Sequence, residues 1–225
     1  MECVDLGKLL SSMAPDKGGQ QLGLSGGGGP ILGRGFEPKG TGVVYGRVYT
    51  RWLPYLRAAS ACTGILVLRD PRDAAISLFY SWAYSHVALP REDGEGRLQR
   101  QNALQQEGLL GWLERKGLGI VKNEFDKGRA LCHSNLNILK THYEDMVLDW
   151  GGFFRGITDH LAIGESIDFA KYDLQREFTV DREDILSHKR RVKPENWREV
   201  FTPQLVEAAK RVYGEALEQE GYLWC

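Results

Sequence analysis

Arg69 and Ser77 stand eight positions apart around a short charged turn, and their side chains are suited to binding a phosphate group. Asp70 and Pro71 complete the turn, which joins an apolar run to a segment with helical spacing. The first N–H groups of a helix lack intrahelical partners, and the helix dipole favours negative charge there. A charge-assisted hydrogen bond from a guanidinium contributes roughly 1.5 to 3 kcal/mol. The residue types therefore indicate anion binding at a helix start.

A strand and a helix must position this turn. Residues 65–68 (ILVL) form a continuous apolar run, which is typical of a strand buried in a parallel sheet. Asp70 suits the N-cap of the following helix, and Pro71 suits its first turn. The apolar residues at helical spacing beyond it form one face, which we expect to pack on the sheet. They are Ala75, Leu78, Phe79 and Trp82, followed by His86.

A surface ion pair is the alternative explanation of the same residues. Arg69 would then pair with Asp73 on the surface, and Ser77 would take no part. Spacing alone supports both interpretations, so the choice depends on motifs elsewhere in the chain.

The nine residues 69–77, RDPRDAAIS, resemble the 3′-phosphate-binding motif of the cytosolic-type sulfotransferases. That family uses 3′-phosphoadenosine 5′-phosphosulfate (PAPS) as donor, and its Arg and Ser at these positions hold the donor's 3′-phosphate. The resemblance implies this role for Arg69 and Ser77. It also implies an α/β fold, with a central parallel sheet flanked by helices and an incomplete N-terminal part.

A second motif lies at residues 136–146, LNILKTHYEDM, where the apolar residues predict a strand that ends near Tyr143. It resembles the family's strand ending in Tyr-Glu-Asp-Met, whose tyrosine lies near the adenine of the donor. The resemblance implies that position for Tyr143. His142 is a candidate substitute for the catalytic base, but alternation along the strand aims it at the face opposite Tyr143 and favours a structural role.

A third motif lies at residues 189–197, KRRVKPENW. It resembles the family's Arg-Lys-Gly triplet, whose arginine stands seven residues before a tryptophan. Counting back from Trp197 assigns Arg190, Arg191 and Val192 to the triplet, and the resemblance implies a second clamp on the same phosphate. Val192 brings a β-branched side chain to the glycine position. Considered alone, such a basic cluster is usually a solvated face.

Two departures from the family concern the transfer step. Residues 38–42, PKGTG, are the nearest match to the family's PKSGTT loop, which makes Lys39 the candidate for the lysine at the donor's bridging oxygen. Arg51 stands where the family has the histidine base, and an arginine stays protonated and cannot accept a proton. The alternative to an active enzyme is therefore a catalytically impaired or truncated sulfotransferase-like protein that only binds the nucleotide.

Length and composition fit one α/β domain of 225 residues. We expect a glycine-rich segment at residues 1–44 and a sulfotransferase-like domain at residues 45–225. A net charge of −1 gives no reason to expect nucleic-acid or membrane-surface binding. The four scattered cysteines form no ligand pattern and indicate free thiols in a reducing compartment. With no apolar run of about 18 residues and no signal-like start, we expect a cytoplasmic protein.

The resemblance also implies the cofactor and the partners. It implies PAPS as co-substrate, no metal, and a small-molecule acceptor with a hydroxyl or an amine. A P-loop kinase or other NTPase is disfavoured because the sequence lacks a Walker A motif. Arg198, Thr202 and Glu207 stand at the spacing of the family's dimer segment, with Pro203 in place of a valine, and suggest a homodimer contact.

The remaining elements are predicted from periodicity and composition. Residues 90–106 are charged and glutamine-rich and are expected to be a loop over the acceptor site or a solvated connection. Residues 104–116 and 120–131 predict helices, with Trp112 in the core. Further helices are predicted at residues 150–161 and, capped by Thr202, at residues 203–219.

Overall fold

The structure is a computed structural model that describes residues 63–85, 93–133, 137–162, 184–186 and 192–224. Two strands, β1 (Thr63–Leu68) and β2 (Asn137–His142), lie within these residues and pair in parallel. Thr63 is opposite Asn137, and Leu68 is opposite His142. Parallel strands need a crossover connection, and here helices supply it. The expected α/β class with parallel strands is confirmed.

Between β1 and β2, the described residues form three helices. Helix α1 (Pro71–Tyr80) continues as a π-helical segment, Ser81–Ser85. Helix α2 (Gly94–Trp112) continues as a second π-helical segment, Leu113–Gly117, and α3 (Leu118–Cys132) follows directly.

Five helices follow β2 in the described part of the chain. Two of them, α4 (Tyr143–Leu148) and α5 (Trp150–His160), come directly after the strand. The other three are α6 (Trp197–Val200), α7 (Pro203–Tyr213) and α8 (Glu215–Gln219).

The start of α1 forms as its sequence predicts. Asp70 is the N-cap, and its carboxylate accepts a hydrogen bond of 2.9 Å from the Arg72 backbone N–H. Pro71 occupies the first turn, where its missing N–H costs nothing. Ala75 and Phe79 are buried as expected, but their cluster consists of helix and C-terminal residues rather than strand residues. The expectation that this face packs on the sheet is therefore wrong for the described residues.

The predicted loop at residues 90–106 is wrong, because α2 begins at Gly94. Asp93 caps the helix by accepting a hydrogen bond of 2.7 Å from Gly96 N–H. Glutamine, arginine and leucine are good helix formers, so a polar composition here reflects an exposed helix rather than a loop. Arg100 and Gln105 also fix α2 to the preceding π-helical segment by donating to the carbonyls of Trp82 and Ala83.

Trp112 lies in the larger core, as predicted, and is fully buried. It packs against Phe79, with 5.7 Å between the ring centroids. Gly117 lies against the same indole, where an added Cβ would come within 2.4 Å of a ring atom. The glycine that weakens the helical pattern is therefore required by the packing of Trp112.

The final helix is shorter than predicted. Thr202 caps α7 by accepting a hydrogen bond of 3.2 Å from Leu205 N–H, as expected. Gly214, with φ of 53°, then ends α7, and α8 begins at the next residue. Glycine adopts this backbone conformation without the steric cost that other residues have, so the single helix expected over residues 203–219 is divided in two.

A second, smaller core lies against the strands. Helix α5 confirms the prediction at residues 150–161 and contributes Phe153, Phe154 and Ile157 to this core. Ile65 and Leu139 of the two strands pack against it. Within the described part of the chain, the helices are each too short or too polar to cross a membrane.

Candidate functional site

The two strands end side by side, which brings the first two sequence motifs together. Arg69 follows β1 and Tyr143 follows β2, and the Arg69 guanidinium carbon lies 4.4 Å from the centroid of the Tyr143 ring. The next residues also meet, because the backbone N–H of Asp70 donates a hydrogen bond of 3.0 Å to Glu144 Oε1. In-register parallel pairing dictates this meeting of residues at the carboxyl edge of the sheet.

Arg69 has an unused donor at this edge. Its Nε atom is buried and has no hydrogen-bond partner in the structure. The contact with Tyr143 is a cation–π contact of the guanidinium carbon with the ring, and the N–H donors lie in the guanidinium plane. The stacked guanidinium can therefore bind an anion at its edge while the ring holds it in place. Ser77, predicted to share that anion, is half-buried and lies one helical turn beyond Asp73 on the same side of α1.

Tyr143 supports Arg69 in this arrangement. Burial raises the pKa of the Tyr143 phenol, and the nearby Arg69 charge acts in the opposite direction. The phenol is therefore neutral at physiological pH. One face of its ring is covered by the guanidinium, so the predicted contact with adenine would have to use the other face or the ring edge.

Arg72 lies in the same turn but is buried and fully engaged. Its guanidinium forms a bidentate pair with Asp70, at 2.9 Å from Nε to Oδ1 and 2.6 Å from Nη2 to Oδ2. Its Nη1 donates a hydrogen bond of 2.9 Å to the carbonyl of Leu223. The guanidinium also stacks on the Trp197 ring at 3.8 Å and on the Trp224 ring at 4.7 Å. We refer to residues 69–73 as the Arg69 turn.

Asp73, the last residue of the Arg69 turn, connects the turn to Trp197. It is 2% exposed, and its Oδ1 accepts a hydrogen bond of 2.7 Å from Trp197 N–H. Burial, reinforced by the Asp70 charge, raises the pKa of Asp73 to about 6, although the Trp197 hydrogen bond and Arg69 oppose the shift. The alternative of a surface ion pair between Arg69 and Asp73 is wrong, because this carboxylate is not on the surface.

Glu144 links the two strand ends to residue 222. Its Oε1 accepts from Asp70 N–H, and its Oε2 accepts a hydrogen bond of 3.1 Å from the Tyr222 hydroxyl. Burial raises the pKa of Glu144, and these two hydrogen bonds partly offset that effect. The carboxylate is thus held on both sides, and both of its neighbours donate to it.

The third motif reaches the Arg69 turn through its tryptophan. Trp197 both donates to Asp73 and lies under the Arg72 guanidinium. Val192 is half-buried at the start of this stretch. Arg190 and Arg191 lie outside the described residues, so their contact with a phosphate stays a prediction.

The candidate catalytic residues are less well defined. Lys39 and Arg51 lie outside the described residues. His142 ends β2, where its Nδ1 is 3.5 Å from Asp145 Oδ2 and its ring meets the Tyr222 ring edge-on at 5.6 Å. Its Nε2 is buried without a hydrogen-bond partner. His142 and Tyr143 thus have different neighbours, and the role of His142 as a base stays a prediction.

The side chains that could bind a metal ion or form a dimer contact have the following surroundings. Among the described residues, no group of three or more His, Cys, Asp or Glu side chains is arranged to hold a metal ion. Arg198 pairs with Glu195 at 2.8 Å, and Glu207 pairs with Lys210 at 2.8 Å, both within a single chain. The homodimer contact through Arg198, Thr202 and Glu207 stays a prediction.

Sequence reasoning missed three residues that shape the site, namely Arg72, Glu144 and Tyr222. Glu144 had a usable signal, since it follows Tyr143 as Asp70 follows Arg69, and parallel strands bring such neighbours together. Arg72 had a local signal only for its pair with Asp70. Its contact with Leu223, and that of Tyr222 with Glu144, join residues more than seventy positions apart and leave no local signal.

Comparison with protein-family models adds the decisive observation. The model described as the sulfotransferase domain matches residues 50–221, which include all three motifs. The chain belongs to the sulfotransferase family. A search of curated proteins finds no match to this sulfotransferase-family chain. Among solved structures, it is similar to the crystal structure of mouse sulfotransferase SULT7A1 complexed with PAP, with 17% sequence identity and a TM-score of 0.46. The similarity covers 78% of this chain and 65% of the mouse protein.

Proposed function

We propose that this sulfotransferase-family chain binds PAPS at the Arg69 turn and transfers its sulfuryl group to a small acceptor. The acceptor oxygen or nitrogen forms a new bond to sulfur as the bond from sulfur to the phosphate oxygen breaks. Adenosine 3′,5′-bisphosphate (PAP) leaves, and the acceptor loses its proton. In this proposal Arg69, Ser77, Arg190 and Arg191 hold the 3′-phosphate, while Val192 lies beside it.

The observation that carries the proposal is the buried Arg69 Nε without a partner, above Tyr143 and beside the first turn of α1. A buried donor of a charged group is costly to leave unsatisfied, by about 1 to 3 kcal/mol or more. A phosphate at this position would satisfy it and would also face the positive end of the α1 dipole.

The charges around the turn are compatible with an anionic ligand. The nearest acidic residue, Asp70, is already neutralised by its bidentate pair with Arg72. Asp73 has a pKa of about 6, so a nearby phosphate would be accommodated by partial protonation of this group. Because Arg72 already compensates Asp70, that carboxylate does not cancel the Arg69 charge that the ligand would meet.

A calorimetric comparison of two nucleotides tests this assignment. PAP and adenosine 5′-monophosphate differ by the 3′-phosphate, so their affinity ratio isolates the contribution of that group. We expect PAP to bind about 10- to 100-fold more tightly, which corresponds to one charge-assisted interaction. Arg69→Ala should remove the preference, and Arg155→Ala, which removes an exposed cation of α5, should retain it. Equal affinities of the two nucleotides for the unmodified chain would contradict the proposal.

Nucleotide binding without transfer is the second candidate function. It is favoured by one sequence observation, the arginine at position 51 where the family has its histidine base. Loss of a general base typically lowers the rate by 10² to 10⁴. Labelled PAPS incubated with phenols, alcohols and amines should yield a labelled product if transfer occurs, and Lys39→Ala and His142→Ala test the two candidate catalytic residues. Intact PAP binding with no labelled product would favour the second candidate.

A further inference from the structure

Residues 222–224 make three contacts with Arg72 of the Arg69 turn and with the neighbouring Glu144, and we refer to them as the 222–224 clasp. The Tyr222 hydroxyl donates to Glu144 Oε2 at 3.1 Å, and the Leu223 carbonyl accepts from Arg72 Nη1 at 2.9 Å. The Trp224 ring lies against the Arg72 guanidinium. The clasp thus contacts Glu144 and Arg72, the two residues that bind Asp70 through its backbone N–H and its carboxylate.

The contact through Tyr222 leads directly to the backbone beside Arg69. Glu144 receives the Tyr222 hydroxyl on one carboxylate oxygen and the Asp70 N–H on the other. The Asp70 N–H belongs to the peptide group that joins Arg69 to Asp70, so the orientation of Glu144 determines the orientation of that peptide plane. The peptide plane in turn determines where the Arg69 side chain leaves the backbone and lies over Tyr143.

The anchoring of the clasp shows that Tyr222 is held in place independently of the site. Glu220, two residues earlier, accepts hydrogen bonds of 3.0 Å from Arg129 and 2.9 Å from Lys140. The Tyr222 ring packs against Phe125 of α3, with 6.4 Å between centroids, and is 9% exposed. A rigidly held hydroxyl can orient Glu144 at little further cost in conformational entropy.

We propose that Tyr222 is a positioning residue for the 3′-phosphate site, acting through Glu144 and the Asp70 peptide on Arg69. This inference rests on the proposed function, because it assigns the purpose of the contact to nucleotide recognition. Tyr222 does not itself touch the ligand. Its removal should lower the preference for a 3′-phosphate rather than the affinity for the nucleoside.

Tyr222→Phe is the principal variant, because it deletes the hydroxyl and keeps the ring. We expect the PAP to adenosine 5′-monophosphate affinity ratio to fall about 2- to 10-fold, the effect of one hydrogen bond. The exchange rate of the Asp70 amide hydrogen should rise as well, since its acceptor loses orientation. Glu144→Gln should have a similar effect. The double variant should lose about as much as either single variant, because both residues act through one contact.

Thr158→Val is the matched control. It also deletes a buried hydroxyl, one that donates a hydrogen bond of 3.0 Å to Arg155 O in the core beneath the sheet. It should lower stability by a comparable amount and leave the affinity ratio unchanged. An equal fall of the ratio in Thr158→Val would show that general loosening, not positioning, is responsible and would overturn the inference.

The two proposals fail in distinguishable ways. If the unmodified chain prefers PAP and Tyr222→Phe retains the full preference, the positioning role is wrong and the proposed function stands. If the unmodified chain has no preference, the proposed function is wrong and the nucleotide part of this inference is wrong with it. The Asp70 amide exchange rate, measured without ligand, still reports whether Tyr222 orders the turn in that case.

Discussion

Arg69 and Arg72 stand three residues apart in one turn, yet the structure uses them in different ways. Arg72 is 2% exposed, with donors engaged by Asp70 and Leu223 and with indole rings against its face. Arg69 stacks on a single ring and keeps a buried Nε without a partner. Each nitrogen of the Arg72 guanidinium has a hydrogen-bond partner, whereas the buried Nε of Arg69 has none.

The difference shows that one arginine of a charged motif can stabilise the fold while the other is left to bind a ligand. Arg72 neutralises the N-cap carboxylate of Asp70 and connects the turn to distant parts of the chain. The carboxylate of the α1 N-cap is therefore compensated by a buried cation. A turn fixed in this way lets Arg69 hold an anion at little cost in reorganisation. The comparison predicts that the two residues respond oppositely in stability and binding experiments.

Arg72→Ala should have the largest effect on stability. It leaves the buried Asp70 carboxylate without its partner, and such losses typically cost 3 to 5 kcal/mol. Urea unfolding monitored by tryptophan fluorescence measures this directly, because Trp197 and Trp224 lie against the removed side chain. Arg72→Lys is the matched control, because it keeps the charge and loses the bidentate geometry. Its free energy of unfolding should lie between those of the unmodified chain and Arg72→Ala. A loss below about 1 kcal/mol would contradict the structural role.

Asp73→Asn should change the pH dependence of stability. With a folded pKa near 6 and an unfolded value near 3.8, the charged form of Asp73 is disfavoured by folding. Its contribution to stability is therefore greatest below pH 3.8 and is lost as the pH rises through 6. The shift corresponds to at most about 3 kcal/mol.

Unfolding free energies of Asp73→Asn and the unmodified chain should be compared between pH 4 and pH 7. Asn retains the oxygen that accepts from Trp197 N–H but does not titrate. The unmodified chain should gain stability relative to the variant as the pH falls across this range. A difference that stays constant with pH would mean that Asp73 is not the buried titrating group.

Arg69→Ala should have the smallest effect on stability. It removes one cation–π contact, worth about 0.5 to 1 kcal/mol at a partly exposed position, and also removes a buried donor without a partner. The two effects oppose one another, so the urea midpoint should shift by less than in Arg72→Ala. A loss as large as that of Arg72→Ala would make Arg69 a structural residue and remove the distinction between them.

Local sequence features were enough to predict the start of the site. An apolar run, a capping aspartate and a proline lie within a few residues of one another, so the strand, the turn and the start of α1 follow from local chemistry. The first half of helix α2 was missed because its glutamines and charges suit an exposed helix as well as a loop, whereas the helix predicted at residues 104–116 overlaps its second half. The break at Gly214 was missed because an apolar stripe continues through it, and only the backbone conformation reveals it.

The candidate site itself was predicted in part. Arg69 and Tyr143 were identified from separate motifs, and the parallel register brings them into contact. The division between Arg69 and Arg72 could not be predicted, because it depends on indole rings and a carbonyl from residues 197–224. Contacts of that sequence separation follow from tertiary packing and leave no local pattern.

The ³¹P NMR titration of bound PAP tests the central claim most directly, that Arg69 holds the 3′-phosphate. A phosphate monoester loses its second proton near pH 6, and an adjacent guanidinium favours the dianion. The 3′ and 5′ phosphates of PAP have separate resonances, so each can be followed over pH in one sample. Arg69→Ala provides the comparison, measured at a ligand concentration that saturates both proteins.

We predict that the pKa of the 3′-phosphate is lowered by about one unit or more in the complex and returns toward its free value in Arg69→Ala. The 5′-phosphate should respond much less to this substitution. A 3′-phosphate that titrates in the complex as it does in free PAP, or one whose lowered pKa survives Arg69→Ala, would contradict the account.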